Sequence, residues 1–408
     1  MMYAFIRLWA RIFLRLYFRK TIVYGLERVP PTGPLIVASN HPSAFLEASM
    51  LTSVMNRPIH FLVRGDMFNP KFKWLFKWTK QIPIYRQKDG ISNLRKNASS
   101  FDLTYRKLSE GESVLIFPEA KTILEKKMRP IQRGTAHLAF GTLPYLKDGT
   151  KLMIIPVGVN FTEPRLPGTD VVVQFGIPFE SQNASREDRE AIEEFTNQLS
   201  ESLSPLIIQV DDAMEKNYDV AASIYFRMVH ENNPGADATK DLHRLASSFN
   251  HPHQDKNLIH QTEEIQKTLK HLKIKDAVYF PDLVVMNRVG LTMLVILKIL
   301  WLIVGGWIWR VARNLIFSKI KTNTFQSPTT VGVFMVLMPL VSIILLVVFL
   351  LTGIPTYFVL IWLLLMWMGT LVRPSLGVIT KLLFMDGKGK KHLSKTILEI
   401  RKSIEHSA

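Results

Sequence analysis

Two uncharged apolar segments near the C-terminus constrain the fold of this 408-residue chain more than any other feature. Residues 331–352 and 356–372 contain no Asp, Glu, Lys or Arg, and only residues 353–355 separate them. A helix of about 20 apolar residues crosses the ~30 Å hydrocarbon core of a bilayer. The sequence therefore predicts a transmembrane hairpin with a short turn at one surface and both flanks at the other.

Basic residues flank this hairpin on both sides. They are Arg310, Arg313, Lys319 and Lys321 before it, and Arg373, Lys381, Lys388, Lys390 and Lys391 after it. Because cytoplasmic loops are enriched in Lys and Arg, we expect both flanks, including the basic tail 373–408, to be cytoplasmic. The membrane region 286–372 contains a further apolar stretch, 291–309, which also has basic flanks. If this stretch crossed the membrane, one of its basic flanks would lie on the non-cytoplasmic side. The pattern therefore favours an interfacial or re-entrant segment.

The N-terminal residues 1–20 combine apolar residues with a regular series of arginines. Arg7, Arg11, Arg15 and Arg19 recur every four residues, so one face of a helix is cationic and the other is apolar. They interrupt every apolar run, and no small-residue cleavage site follows, so we do not expect a signal peptide. The pattern favours an amphipathic helix at the bilayer interface. An ordinary helix docked on the protein core is the alternative.

Charge and cysteine content restrict the possible partners and chemistry. The net charge of +17, from 51 Lys and Arg against 34 Asp and Glu, indicates an anionic partner. A nucleic acid would leave the apolar hairpin unexplained, so we expect membrane lipids and no nucleic acid. The chain has no cysteine, which excludes disulfides, thiolate metal sites and a cysteine-linked acyl intermediate.

Short apolar runs alternate with segments of helical pattern in residues 21–180. The runs are 35–39, 59–63, 82–84, 113–117, 153–159 and 171–175. Strands separated by helix-length segments predict an α/β domain with a mostly parallel sheet flanked by helices. Residues 181–285 are polar and helical in pattern, which predicts a helical insert or linker.

The first apolar run leads into a histidine that is followed by proline and, six positions on, by a carboxylate. A residue before proline avoids the helical region, so we expect His41 in an extended or turn conformation. Positions i and i+6 lie about 120° apart on a helix, so His41 and Glu47 can meet only if residues 42–44 form a loop. A carboxylate bonded to one imidazole nitrogen leaves the other free to accept a proton. This predicts a general base and its orienting acid, whereas helix capping or packing is the alternative for a lone histidine.

Three further blocks accompany this "NHPSAFLE" motif. Residues 82–86 read "IPIYR", "FPEAKT" at 117–122 is followed by "RPIQRG" at 129–134, and residues 154–159 read "IIPVGV". In this order and spacing, the four blocks resemble the glycerolipid acyltransferase superfamily, which includes the glycerol-3-phosphate and 1-acylglycerol-3-phosphate acyltransferases. The resemblance covers residues 24 to about 178 and implies the same α/β fold.

The resemblance also implies a reaction and a set of site residues. His41 would deprotonate a hydroxyl of 1-acylglycerol-3-phosphate or glycerol-3-phosphate, which attacks the thioester of acyl-CoA or acyl-carrier protein directly. No acyl-enzyme, metal or other cofactor is expected. Arg86, Lys121 and Arg133 would bind the acceptor phosphate. Glu119 would bind or orient the acceptor glycerol, and a structural carboxylate that closes its turn is the alternative.

The chain departs from the usual family pattern at two positions. Glu47 stands where an aspartate with four intervening residues is common, and its additional methylene can loosen the pair. Ala120 replaces a glycine, at a cost of roughly 1 kcal/mol if that residue has a positive φ. A catalytically degenerate membrane protein that binds acidic lipids is therefore the alternative function. We expect the catalytic domain on the cytoplasmic face of a bacterial inner membrane or endoplasmic reticulum, and the oligomeric state is left open.

Overall fold

The computed structural model describes residues 2–65, 68, 71, 73–85, 91–251, 255–321, 323–371 and 374–407. Arg86, one of the predicted phosphate ligands, lies outside these residues. All six predicted strands lie within them.

The described residues contain an eight-stranded sheet in the order β1-β7-β6-β2-β5-β3-β4, with β8 paired to β6. The strands are β1 (Lys20–Tyr24), β2 (Leu35–Ser39), β3 (Ile59–Arg64), β4 (Gln81–Ile84), β5 (Ser113–Ile116), β6 (Met153–Phe161), β7 (Asp170–Phe175) and β8 (Phe179–Glu180). Among the strand pairs of the described residues, β6–β7 and β6–β8 are antiparallel and the other five are parallel. The predicted mostly parallel α/β sheet is confirmed, whereas β1 and β8 were not predicted.

Helices flank the sheet and continue beyond it. Within the α/β part they are α1 (Met2–Tyr17), α2 (Phe45–Val54), α3 (Lys73–Trp78), α4 (Ile91–Ser109), α5 (Gly134–Thr142) and α6 (Arg189–Leu203). The later helices are α7 (Glu215–Ile224), α8 (Ala238–Asn250), α9 (Lys256–His271), α10 (Pro281–Val285), α11 (Arg288–Trp301), α12 (Trp307–Lys319), α13 (Asn323–Thr352), α14 (Tyr357–Leu371), α15 (Leu376–Leu383) and α16 (Gly387–Ser407).

The central strand β2 is buried on both faces, which explains its continuous apolar sequence. Successive side chains of a strand point to opposite faces of the sheet. Leu35 and Val37 accordingly pack with α1 and α2, while Ile36 and Ala38 pack with α4, α5 and α6. The sheet is therefore covered by helices on both sides, and its carboxyl edge is left for the loops.

Residues 181–285 do not form one unit. Helix α6 packs on the sheet, where Phe195 is fully buried. Helices α7–α11 instead form a bundle with α15 and α16, in which Tyr225, Ile379 and Ile400 share one apolar core. The basic segment at the C-terminus is thus mostly folded onto this bundle.

The helices between α10 and α15 in sequence, from Arg288 to Leu371, are largely apolar. In the described part of the chain, one helical stretch, Arg288–Lys319, is long and apolar enough to cross a membrane by length and composition. It is kinked at Gly305, and the indole N–H of Trp362 on α14 donates to the carbonyl of Val304 at 3.0 Å. The two segments predicted as a hairpin form α13 and α14, and Gly353 between them has a φ of +70°.

Candidate active site

The carboxyl ends of β2 and β5 meet at one edge of the sheet. These strands are parallel neighbours, and Ala38 pairs with Ile116. His41 and Glu119 each follow three residues after that pair, so the register brings both to the same edge. Side chains beyond the carboxyl ends of parallel strands commonly form the functional site of an α/β fold.

His41 and Glu47 lie within hydrogen-bond distance. Nδ1 of His41 is 3.3 Å from Oε1 of Glu47, and the Glu47 side chain is fully buried. The backbone N–H of Ser43 donates to the same carboxylate oxygen. Residues 42–44 form a loop, in which Ala44 has a φ of +43°, and α2 begins at Phe45. On a regular helix the two side chains would point about 120° apart, but the loop brings them together. It also accommodates the fifth residue between His41 and Glu47 and the longer glutamate side chain.

The ring of His41 stacks on Phe117, the residue that follows β5. Their ring centroids are 3.9 Å apart and their planes differ by 10°. The His41 side chain is 17% exposed. In the described part of the chain no hydrogen bond engages Nε2, so Glu47 holds one nitrogen while the other can meet a substrate. Phe117 was not predicted as a site residue, although it begins the "FPEAKT" block.

Glu119 is a buried carboxylate, and its ion-pair partner among the described residues is Arg129. Its Oε2 lies 3.5 Å from Nη1 of Arg129, whose other nitrogen donates to Glu125 at 3.0 Å. Burial raises the pKa of Glu119, while Arg129 and the backbone N–H groups of Arg129 and His41 act in the opposite direction. Among the described residues, Oε1 of Glu119 has no hydrogen-bond partner. This oxygen can therefore accept a hydrogen bond from a substrate hydroxyl.

Sequence reasoning missed Arg129 as the partner of Glu119. Both arginines of the "RPIQRG" block are present in the structure, but it is Arg129 that reaches the buried carboxylate, while Arg133 is exposed at the start of α5. Lys121 is exposed as well. Within the described ranges, neither Lys121 nor Arg133 contacts His41, Glu47 or Glu119 through a hydrogen bond or ion pair. The structure thus brings together the predicted base and both carboxylates, but not these two cations.

Ala120 adopts the conformation that favours glycine. Its φ is +54°, in a turn where its backbone N–H donates to the carbonyl of Phe117 at 3.1 Å. The backbone N–H of Gln132 closes the next loop onto the carbonyl of Pro118 at 2.8 Å. Because φ is positive here, alanine is energetically less favourable than glycine at this position.

Lys126 connects the loop after Glu119 to the helical bundle. Its Nζ lies 2.5 Å from Oδ1 of Asp219 and donates to the carbonyl of Thr162, while its own carbonyl accepts from Val210. Burial would lower the pKa of Lys126, but Asp219 and Glu215 outweigh it and the pKa is raised. This cluster borders a cavity of about 110 Å³ that reaches Asn40 and Pro42. The bundle therefore holds the loop that carries Glu119 through Lys126.

The fold and the site together define an α/β protein with a histidine–carboxylate pair and a buried glutamate at the carboxyl edge of a parallel sheet. A model of the acyltransferase family matches residues 20–160, which contain β1 to most of β6 and all of these side chains. Residues 20–160 of the chain are therefore similar to the acyltransferase family.

Two curated relatives and one solved structure are similar to the chain. An uncharacterised acyltransferase of Schizosaccharomyces pombe is 27% identical over 29% of this chain and 19% of its own length. A 1-acyl-sn-glycerol-3-phosphate acyltransferase of Chlamydomonas reinhardtii is 31% identical over 32% of this chain and 38% of its own length. The chain therefore spans well under half of these relatives. The 1-acyl-sn-glycerophosphate acyltransferase PlsC of Thermotoga maritima is 18% identical, with a TM-score of 0.35 over 49% of this chain and 78% of that one.

Proposed function

We propose that the chain transfers a fatty acyl group from acyl-CoA or acyl-carrier protein to the free hydroxyl of 1-acylglycerol-3-phosphate, or of glycerol-3-phosphate. The observation that carries this proposal is the 3.3 Å contact between Nδ1 of His41 and Oε1 of Glu47, beside Glu119. The relative from Chlamydomonas reinhardtii, named for acylation of the same acceptor, supports the choice of 1-acylglycerol-3-phosphate.

The geometry of the pair supports a general-base reaction. With Nδ1–H donated to Glu47, Nε2 of His41 takes the proton of the acceptor hydroxyl as its oxygen bonds to the thioester carbonyl carbon. The carbon–sulfur bond then breaks, and the imidazolium returns the proton to the departing thiolate. Oε1 of Glu119 orients the acceptor by accepting a hydrogen bond from a second hydroxyl, where the acceptor has one. No residue is acylated, and no cofactor takes part.

The acceptor phosphate is assigned to the cationic residues around this edge of the sheet. Lys121 and Arg133 are exposed on either side of the loop that follows Glu119, and Arg86 follows β4 in sequence. The exposure of Lys121 and Arg133 suits a ligand that arrives from outside. Arginine offers a planar fork to phosphate oxygens, whereas lysine acts as a compact charge.

The membrane placement belongs to the same proposal. Helices α13 and α14 cross the bilayer as a hairpin with both flanks in the cytoplasm, and residues 291–309 enter it as a re-entrant segment. The bond from Trp362 to Val304 satisfies a carbonyl at the kink, as hydrocarbon requires. On α1, Phe5, Leu8 and Ile12 form an exposed apolar stripe that lies in the interface.

The test is an acceptor screen with the purified full-length chain in phospholipid nanodiscs. Thiol release and lipid product are measured with palmitoyl-CoA or palmitoyl-acyl-carrier protein, and with 1-acylglycerol-3-phosphate, glycerol-3-phosphate or a zwitterionic lysophospholipid. We expect the highest rate with 1-acylglycerol-3-phosphate and its loss in a His41→Ala variant that retains its helical content. Absence of thiol release with every pair, or equal rates in wild type and variant, would contradict the proposal.

The φ of +54° at Ala120 favours the second candidate, a degenerate acyltransferase that binds acidic lipids. A degenerate protein would show no turnover in the screen but would still bind vesicles that contain phosphatidic acid. Recovery of turnover in Ala120→Gly alone would identify this residue as the cause of the lost activity.

A further inference from the structure

A second cavity, of about 270 Å³, lies between α1, the kinked pair α11–α12 and α15. None of the proposed catalytic side chains lines it. Its wall is largely aromatic and aliphatic, with Phe13, Leu16, Tyr17, Phe280, Leu302 and Trp309 among its residues. A concave apolar wall of this kind suits a hydrocarbon chain.

Positive charge is concentrated along one side of this cavity. Lys298, Arg310 and Arg313 line it, and one carboxylate, Asp276, lies among the described lining residues, so three cations against one anion leave +2. Lys298 is only 8% exposed, and Arg310 acts on it electrostatically. Among the described residues no ion pair engages Arg310 or Arg313. Both arginines are exposed beside the buried ammonium of Lys298, so an anion between the three positive charges would reduce their mutual repulsion.

Trp301 adds an unsatisfied donor to the same wall. Its side chain is 8% exposed and lies under the ammonium of Lys298, which is 4.2 Å from the ring centroid. Within the described ranges its buried indole Nε1–H has no hydrogen-bond partner. A buried donor without an acceptor costs free energy, which an oxygen of a ligand would recover.

We propose that this cavity binds one anionic phospholipid, as a site separate from the one at His41. The phosphate is held by Lys298, Arg310 and Arg313, with an oxygen accepting from the Trp301 N–H. One acyl chain follows the apolar wall toward Phe13. A free phosphate would satisfy the cations but would leave this wall empty.

The surroundings of the cavity indicate that the ligand comes from the bilayer. Met293, Ile303 and Trp307 on the same kinked helix pair are 59%, 71% and 56% exposed. Large apolar side chains exposed in this number face lipid rather than water. A phospholipid can therefore enter from the membrane without crossing the aqueous phase.

The test uses the full-length chain purified in a non-ionic detergent. Phosphatidylglycerol with brominated acyl chains is titrated while tryptophan fluorescence is followed, because Trp301 and Trp309 line the cavity. Brominated phosphatidylcholine and inorganic phosphate are the comparison probes. We expect saturable quenching by phosphatidylglycerol, much weaker quenching by phosphatidylcholine, and no thermal stabilisation by inorganic phosphate at millimolar concentration.

Three variants test whether the named side chains hold the headgroup. The double variant Arg310→Gln/Arg313→Gln should weaken phosphatidylglycerol binding about thirtyfold, since each charge contributes about fivefold. Trp301→Phe keeps an aromatic ring but removes the indole N–H donor, so a smaller loss of phosphatidylglycerol binding is expected. Lys319→Gln, an exposed charge on the same helix, is the matched control and should bind like wild type.

Equal binding of the two phospholipids, unchanged binding in the double variant, or stabilisation by inorganic phosphate equal to that by phosphatidylglycerol would each overturn the proposal. The His41→Ala variant should retain full binding. Failure of the lipid site is thus distinguishable from failure of the proposed acyltransferase activity.

Discussion

Phe45, the first residue of α2, stacks edge-to-face on Phe325 near the start of α13, with ring centroids 6.0 Å apart. Two positions further along α2, Glu47 bonds Nδ1 of His41. The helix that orients the proposed base therefore rests directly on one of the two apolar helices predicted as the membrane hairpin. This contact gives a physical route by which the membrane helices can hold the site in place.

Phe325→Ala should lower both stability and activity. An aromatic pair of this kind contributes about 0.5–1.5 kcal/mol beyond the area that it buries. We expect a loss of at least that amount in the free energy of unfolding, together with a several-fold fall in kcat, since the first turn of α2 loses its support. Phe358→Ala, which removes an exposed ring from α14, is the matched control. Equal losses in the two variants would argue against coupling through Phe45.

Glu47→Gln tests the charge of the orienting acid separately from its hydrogen bonds. The amide oxygen can still accept from Ser43, so α2 should keep its start. Loss of the negative charge beside the imidazolium should lower kcat by roughly tenfold or more, since about 1.4 kcal/mol corresponds to tenfold. His41→Ala should lose on the order of 10²- to 10⁴-fold. Steady-state rates and circular dichroism of both variants check this, and an unchanged kcat in Glu47→Gln would exclude an electrostatic role.

Ala120→Gly should increase stability by about 1 kcal/mol, because glycine tolerates a φ of +54° that alanine resists. Activity should rise as well, since the same turn positions Glu119. Lys273, with a φ of +55° and outside the site, supplies the control: Lys273→Gly should gain stability without a change in activity. Chemical denaturation and thiol-release rates distinguish the two effects. A more stable but equally active Ala120→Gly variant would show that the turn does not limit catalysis.

Arg129→Gln should move the acidic limb of the kcat/KM profile to higher pH. Burial raises the pKa of Glu119 and Arg129 lowers it, so removal of the guanidinium raises this pKa further. A smaller fraction of Glu119 is then ionised at a given pH, and glycerol-3-phosphate, the acceptor with a second hydroxyl, is bound less well. Lys127→Gln, an exposed cation of the same loop that pairs with Asp212, is the control. Profiles that overlay for wild type and Arg129→Gln would show that the ionisation of Glu119 does not govern acceptor use.

Glu112 lies away from the candidate active site, because it precedes β5 at the opposite edge of the sheet. Its ion pairs lead to a prediction about folding stability. Burial would raise its pKa, but Lys80 and His60, 2.5 Å and 2.7 Å from Oε2, lower it to about 2. This depressed pKa stabilises the folded chain above pH 4.5, and the contribution is lost as pH falls from 4.5 toward 2. Glu112→Gln should therefore cost roughly 1–3 kcal/mol at about pH 7 and less at about pH 3.5. Melting curves at the two pH values measure this, and a pH-independent cost would mean that the charge is not responsible.

The strands of the sheet could largely be predicted because their residue patterns are local. Buried runs such as 35–39 and 154–159 have few other conformations that would remove every side chain from water. The edge strand β1 was missed because its five residues, starting at Lys20, are only partly buried and resemble the end of the preceding helix. Its partner strand β7 lies 150 positions further along the sequence, so no local pattern encodes this pairing.

The sequence by itself determined the chemical groups at the site: an imidazole fixed by proline, a carboxylate six positions on, and a "FPEAKT" turn after a buried strand. Only the tertiary structure decided their partners. The register of β2 with β5 sets His41 beside Phe117, and a loop with an unusual Ala44 lets Glu47 reach the ring. The choice of Arg129 over Arg133 for Glu119 likewise depends on how the loop folds back. Residue types are a property of the chain, but distances between residues far apart in sequence are set by packing, which a local pattern does not contain.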